Sequence, residues 1–137
     1  MSTERIAGND WRNARLLFDD VAVAVNDNNI ILDTPDADGF FEGHFTDLEG
    51  NRLPDELVEG RCIPDGLRPL IVFTRRHPGG NVITRYIGKV ITFNGDDPGT
   101  ENDATTVMIR GRFTRATTNG NGSIAIAGGD YETEKPT

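Results

Sequence analysis

From Val21 to the C-terminus, apolar side chains recur at every second position in short runs, the period of strands with one buried and one solvated face. Phe41, Gly43 and Phe45 alternate with Glu42 and His44; Tyr86, Gly88 and Val90 alternate with Ile87 and Lys89. The pattern predicts up to eight strands, at roughly 21–25, 28–33, 39–47, 55–63, 68–76, 81–94, 104–117 and 122–133. Turn-forming residues separate them, as in Asn26-Asp27-Asn28-Asn29, His77-Pro78-Gly79-Gly80 and Asn119-Gly120-Asn121-Gly122. Connections this short join antiparallel neighbours, because a parallel crossover needs about a dozen residues or more. The expected fold is all-β: a single antiparallel barrel of roughly eight strands over residues 19–134, with 135–137 as a tail. Residues 1–18 read differently. Asp10 suits the cap of a short helix on which Trp11, Ala14, Leu17 and Phe18 share a face, so an N-terminal arm or short helix is expected there.

One motif recurs in five of these strands: an apolar residue, any residue, Gly, a charged residue or His, then an apolar residue. The copies centre on Gly43, Gly60, Gly88, Gly111 and, loosely, Gly129. Glycine within a strand costs about 0.5–1 kcal/mol relative to Ala, so five of them need a reason. Glycine permits the tight coiling that a small barrel requires, and it makes room on the concave face for a large neighbour or a ligand. Both readings point to a closed sheet with the glycines facing inward.

On that assumption the lining comprises Phe41, Phe45, Val58, Cys62, Thr84, Tyr86, Val90, Val107, Ile109, Phe113, Ala125, Ala127 and Tyr131. An eight-stranded barrel is just wide enough to be filled by side chains or to hold one small ligand. Apolar walls with sparse polar groups are the usual make-up of ligand pockets. Tyr86 and Tyr131 are the candidate catalytic residues, since a phenol can orient a carbonyl or donate to a developing oxyanion. Phe41, Phe45, Cys62, Thr84, Val90, Ile109 and Phe113 are candidate substrate-binding residues, and Trp11, Arg76 and Arg115 candidate residues of a mouth or lid. Glu42, His44, Glu59, Arg61, Lys89, Arg110, Arg112, Asp130 and Glu132 fall on the opposite face, where cross-strand ion pairs are expected. Ile83, Ile87, Ile91 and Phe93 share that outer face, with Met108, Ile124 and Ile126 beside them. Such a patch suggests a subunit interface, hence a homodimer or larger homo-oligomer.

Charge narrows the partners. The net charge of -8, from 22 acids against 14 bases in 137 residues, disfavours nucleic acid, whose phosphates bind through cationic neutralisation. Cys62 is the only cysteine and has no internal disulfide partner, and no N-terminal basic region leads into an apolar run of signal-peptide length. A soluble, cytoplasmic protein is expected, and no stretch has the apolar length of a membrane-spanning helix. His44 and His77 show no zinc spacing with Cys62, so no metal is expected. Neither a cofactor fingerprint nor Gly-x-Ser-x-Gly is present, which leaves cofactor use and nucleophilic hydrolysis without support.

The run Phe41-Glu42-Gly43-His44-Phe45-Thr46-Asp47-Leu48-Glu49-Gly50, followed by Glu59-Gly60-Arg61-Cys62, resembles a segment of the allene-oxide-cyclase-like barrels. Ile109-Arg110-Gly111-Arg112-Phe113 and the run from Ile124 to Tyr131 are similar to that group's closing strands, so the resemblance spans about two thirds of the chain. It implies a calycin-type barrel and a cofactor-independent cyclase or isomerase that folds a mainly apolar, polyketide-like or lipid-like substrate inside its cavity. The family's longer glycine turn is shortened here to Gly128-Gly129, which bears on the register of the last strand. Avidin-like barrels are similar too, but their pockets use several tryptophans and this chain has only Trp11. Two alternatives stand beside the enzyme: a non-catalytic small-molecule-binding barrel, and a filled barrel serving as an interaction module.

Overall fold

Alternating apolar positions on successive short segments can all be buried at once only if the segments pair edge to edge and curl on themselves. The computed structural model has this arrangement. It describes residues 9–19, 25–54, 57–65, 68–94, 97–98 and 106–136. The strands are β1 (Asn9–Phe18), β2 (Val25–Leu32), β3 (Phe40–Thr46), β4 (Leu57–Ile63), β5 (Leu70–Arg76), β6 (Val82–Asn94), β7 (Asp97–Pro98), β8 (Thr106–Thr118) and β9 (Ile124–Pro136). All pairings are antiparallel. Following the ladders from β1 through β2, β3, β4, β5, β6, β8 and β9 returns to β1, so eight strands close a barrel and β7 adds two residues beside β6. Closure leaves these eight strands without a free edge. The β1–β2, β3–β4, β5–β6 and β8–β9 connections lie at one end, called here the upper end. Thr118 N donates to Asn81 O at 2.8 Å there, tying the top of β8 to the β5–β6 turn.

The all-β barrel of eight strands is as expected, but its first strand is not. Residues 9–18 form neither arm nor helix; they are a barrel strand, and the barrel begins before residue 19. The helical reading came from a bulge. The register of β1 against β2 shifts between Trp11 and Ala14, so two residues three apart both point inward, the spacing of a helix face. Leu16 rather than Leu17 is then buried. The expected strand at 21–25 falls mostly on residues 21–24, outside the described residues. The Asn-rich run read as a turn lies within β2, where Asn28 pairs with Ala14 and Asp27 with Arg15, because sheet partners override local propensity. Gly128-Gly129 does not disturb the last strand, whose register against β8 is continuous from Thr118↔Ile124 to Thr106↔Pro136.

The five motif glycines face inward, and the ladders explain why. Gly60 sits between Phe41 and Phe73 on the neighbouring strands, and Gly129 between Phe113 and Phe18. In each case the flanking rings meet across the glycine, with centroids 6.4 Å apart for Phe41–Phe73 and 4.9 Å for Phe18–Phe113. A Cβ at Gly60 would lie 2.8 Å from Phe41 Cζ and against the Cβ of Phe73. Gly88 and Gly111 pair with each other, and a Cβ on Gly111 would run into the carbonyl oxygen of Ile87. Glycine therefore serves both expected purposes, close backbone approach at Gly111 and space for rings at Gly60.

The β3–β4 connection is organised by Asp47. Its carboxylate accepts from the backbone N–H of Asn51 (2.8 Å) and Glu49 (3.0 Å) and from the side chain of Asn51 (3.1 Å). Those bonds, Asn51's first, hold the carboxyl below its ordinary value of 3.8. Its contribution to stability is therefore complete above that value and is lost as pH falls through the lower folded value.

Two measurements test the glycine packing and the Asp47 turn. Gly111→Ala is expected to lower unfolding free energy by about 1–3 kcal/mol, as for an overpacked core. Gly120→Ala, whose added Cβ has nothing within 4 Å, should stay within about 0.5 kcal/mol; urea titration separates the two. Asp47→Asn should flatten the decline in stability below about pH 4, and an unchanged acid limb would contradict the role given to that carboxylate.

Candidate functional site

Inward-facing residues stack in layers. One layer runs across the barrel wall as Phe73, Tyr86, Phe113 and Gly129 on β5, β6, β8 and β9. The Phe73 and Tyr86 rings stack at 4.5 Å, and the Tyr131 ring meets Tyr86 edge-on at 4.7 Å and Phe73 at 5.7 Å. Phe45 lies 6.2 Å from Tyr86, and Phe113 lies 6.5 Å from it. Trp11, Ile30, Leu32, Val58, Cys62, Ile71, Val90, Val107 and Ile109 join the same buried cluster. The middle of the barrel is thus occupied by packed aromatic rings with spacings typical of favourable edge-to-face and offset pairs.

Most of the expected lining residues point inward. Phe41, Phe45, Cys62, Thr84, Val90, Ile109, Phe113, Tyr86 and Tyr131 are all buried, whereas Ala125 is exposed and Ala127 half-buried. They form a core, and the two tyrosines stand at its centre. The Tyr131 hydroxyl makes no hydrogen bond among the described residues. Burial, then the neighbouring Tyr86, pushes its pKa well up against the opposing pull of Arg75. A phenol so placed stays protonated. Burial likewise raises the Cys62 thiol, which disfavours the reactive thiolate.

A polar layer sits above the rings. Arg75, Thr84 and Arg115 are cross-strand neighbours on β5, β6 and β8, all facing inward. Arg115 Nε donates to Thr84 Oγ1 at 3.0 Å, and His77 Nε2 is 3.2 Å from the same oxygen. The Arg75 guanidinium, 5% exposed, lies over the Phe45 ring at 3.8 Å, and that of Arg115 faces Phe18 at 5.3 Å. The proposed mouth residues therefore separate. Arg115 is at the upper end of the interior; Trp11 is in the core because it is an inward residue of β1; Arg76 is on the outer face because it follows inward Arg75. His77, expected in a turn between strands, is half-buried against Thr84.

Two depressions, of about 870 and 410 Å³, open on the outside of the barrel. The larger crosses β3, β4, β5, β6 and β8. Two ladder rows define it: Glu42, Glu59, Thr74, Arg85 and Thr114, and below them Phe40, Arg61, Val72, Ile87 and Arg112. Its floor reaches Gly60, Phe41, Phe73 and Tyr86. Phe40 and Ile87 are 53% and 50% exposed. Arg61 lies over the Phe40 ring at 4.9 Å and donates to Asp38 O.

Some outer charges pair as expected: Arg112 with Asp130 (3.0 Å) and Asp19 (2.7 Å), Arg110 with Glu132 (3.6 Å), and Lys89 with Asp65 (3.4 Å). Glu42 and Glu59 do not. They are direct cross-strand neighbours of like charge, an arrangement that opposes pairing, and Arg85 stands two strands away with no ion pair among the described residues. Of the expected outer apolar patch, Ile87, Ile124 and Ile126 are exposed, Ile83 and Ile91 half-buried, and Met108 buried; the Phe93 side chain lies outside what is described. Sequence reasoning missed Phe73, which sits in a strand without a motif glycine, and it missed the Glu42–Glu59 opposition, which only the register reveals.

The fold and this surface define a closed, up-and-down antiparallel β-barrel with an aromatic-filled middle and a charged outer depression. No protein-family model, curated protein or solved structure matches the chain, so the likeness to allene-oxide-cyclase-like barrels rests on its sequence motifs. Among the described residues no helix is long and apolar enough to cross a membrane.

Removing the Tyr131 hydroxyl removes a buried polar group that has no partner among the described residues, a burden of about 1–3 kcal/mol. Tyr131→Phe should therefore match or exceed the parent in urea stability. A loss of more than about 1 kcal/mol would mean that the hydroxyl holds a bond in solution.

Proposed function

We propose that the protein is a non-catalytic interaction module, a filled barrel that binds through the outer face of β3, β4, β5, β6 and β8. The observation that carries this reading is the location of free space. Aromatic rings occupy the barrel's middle, whereas the 870 Å³ depression lies outside and combines exposed Phe40 and Ile87 with Arg85, Glu42 and Glu59, none of them in an ion pair among the described residues. Exposed apolar side chains beside uncompensated charges are the ingredients of a recognition surface.

The cyclase or isomerase reading requires a substrate to reach Tyr86 and Tyr131, which are 2% and 1% exposed. The Phe73, Tyr86 and Tyr131 rings would have to separate to admit one, at the loss of their mutual contacts. The same obstacle meets a ligand carried inside the barrel. A reducing, cytoplasmic setting belongs to the proposal, supported by a single cysteine that is buried in the core.

The anionic, aromatic dye anilinonaphthalenesulfonate matches the arginine and apolar components of the outer face. At dilute protein, folded wild-type chain should bind and brighten it. Ile87→Asp with Arg85→Glu should weaken binding at least about tenfold, as expected when central contacts of a small site are removed. Dye binding unaffected by that pair of changes would overturn the reading.

A further inference from the structure

We infer that the partner of this outer face is a second copy of the chain, docked about a two-fold axis that lies in the face along β5. The inference rests on the interaction reading above and names its partner. The observation behind it is the placement of opposite charges, Glu59 and Arg85, on the two strands that flank β5. In the upper row, Glu42 and Glu59 lie on β3 and β4, Thr74 on the central strand β5, and Arg85 on β6. Acid stands on one side of β5 and base on the other, one strand from it in the case of Glu59 and Arg85.

An isologous dimer pairs each position with its counterpart across the axis, so that one contact is made twice. With the axis along β5, Glu59 of each copy faces Arg85 of the other, and Thr74 meets its own copy. The register places the remaining residues consistently. In the lower row Arg61 faces Ile87 and Val72 meets Val72; in the row above, Leu57 faces Ile83. The dimer thereby covers Ile87 and joins Glu59 to Arg85, neither of them in an ion pair among the described residues. Glu59, the like-charge neighbour of Glu42, gains a cation. Arg76 lies on the axis strand and meets its own copy, an unfavourable term that the pattern also predicts.

On a closed barrel the contact is confined to β5 and the strand on either side, two interstrand spacings or roughly 10 Å, which places it at the small end of stable interfaces, below about 800 Å² per partner. A dimer with a dissociation constant on the order of micromolar follows.

Sedimentation velocity over a concentration series tests the inference with a charge swap. Wild type should show a reversible monomer–dimer equilibrium. Glu59→Arg alone and Arg85→Glu alone should each weaken dimerisation at least about tenfold, since each sets like charges together twice. An equimolar mixture of the two variants should dimerise again, because both contacts between positions 59 and 85 then join opposite charges, one in the native sense and one with its signs exchanged. That recovery also shows that the variants fold. Arg76→Ser should tighten the dimer, and dimerisation should displace the dye as protein concentration rises.

A wild-type chain that remains monomeric at high micromolar concentration overturns the inference, as does a dimer insensitive to either reversal or a mixture that stays monomeric. Failure here with dye binding still lost in the Ile87→Asp, Arg85→Glu protein refutes the self-association and leaves the interaction reading intact. Dye binding that survives those changes refutes that reading itself.

Discussion

The inside of an eight-stranded barrel has a fixed width, and everything else in this molecule answers to that limit. Its interior must take Trp11, aliphatic side chains such as Ile30, Leu32, Val58, Ile71, Val90 and Ile109, and the rings of Phe41, Phe45, Phe73, Tyr86, Phe113 and Tyr131 without voids or overlap. Large side chains on adjacent strands cannot all keep full-sized neighbours. The chain resolves the conflict by placing glycine between rings, Gly60 between Phe41 and Phe73 and Gly129 between Phe113 and Phe18. The same glycines let backbones approach closely enough for the wall to coil shut. Packing and closure are therefore one requirement met by one residue type.

A filled interior has a functional consequence. Once the rings meet one another, the polar groups among them become features of the core: the Tyr131 hydroxyl is sealed, and Thr84 is engaged by Arg115 and approached by His77. Residues available for recognition are those of the opposite parity, which the closed ladders set side by side in fixed rows. Because the barrel has no free edge, its partners meet side chains rather than an open backbone ladder. The pattern of charge across those rows, not the identity of any single residue, then decides what docks.

How much of this was legible in the sequence follows from which interactions are local. Strand parity is local, so the inward glycines and the buried set from Phe41 to Tyr131 could be read directly. Position along the barrel axis is not local: Ala125 and Ala127 have the inward parity but lie toward the upper end and are not fully buried. The bulge in β1 was illegible because it mimics helical spacing, and it converted a strand into an expected helix. Arg75 shows the same limit differently, since an arginine with 5% exposure facing inward over Phe45 depends on what the opposite wall offers. Glu42 and Glu59, seventeen positions apart by their numbers, face each other only because β3 and β4 pair in one register out of several that their alternation allows.

The central claim is that the barrel's middle is filled and that recognition belongs to its outer face. Diffraction from crystals pressurised with xenon tests it most directly, since xenon enters dry apolar cavities and finds no room in packed ones. The account predicts no xenon between Phe73, Tyr86 and Tyr131. A well-occupied xenon site among those three rings would contradict it and return the function to the interior.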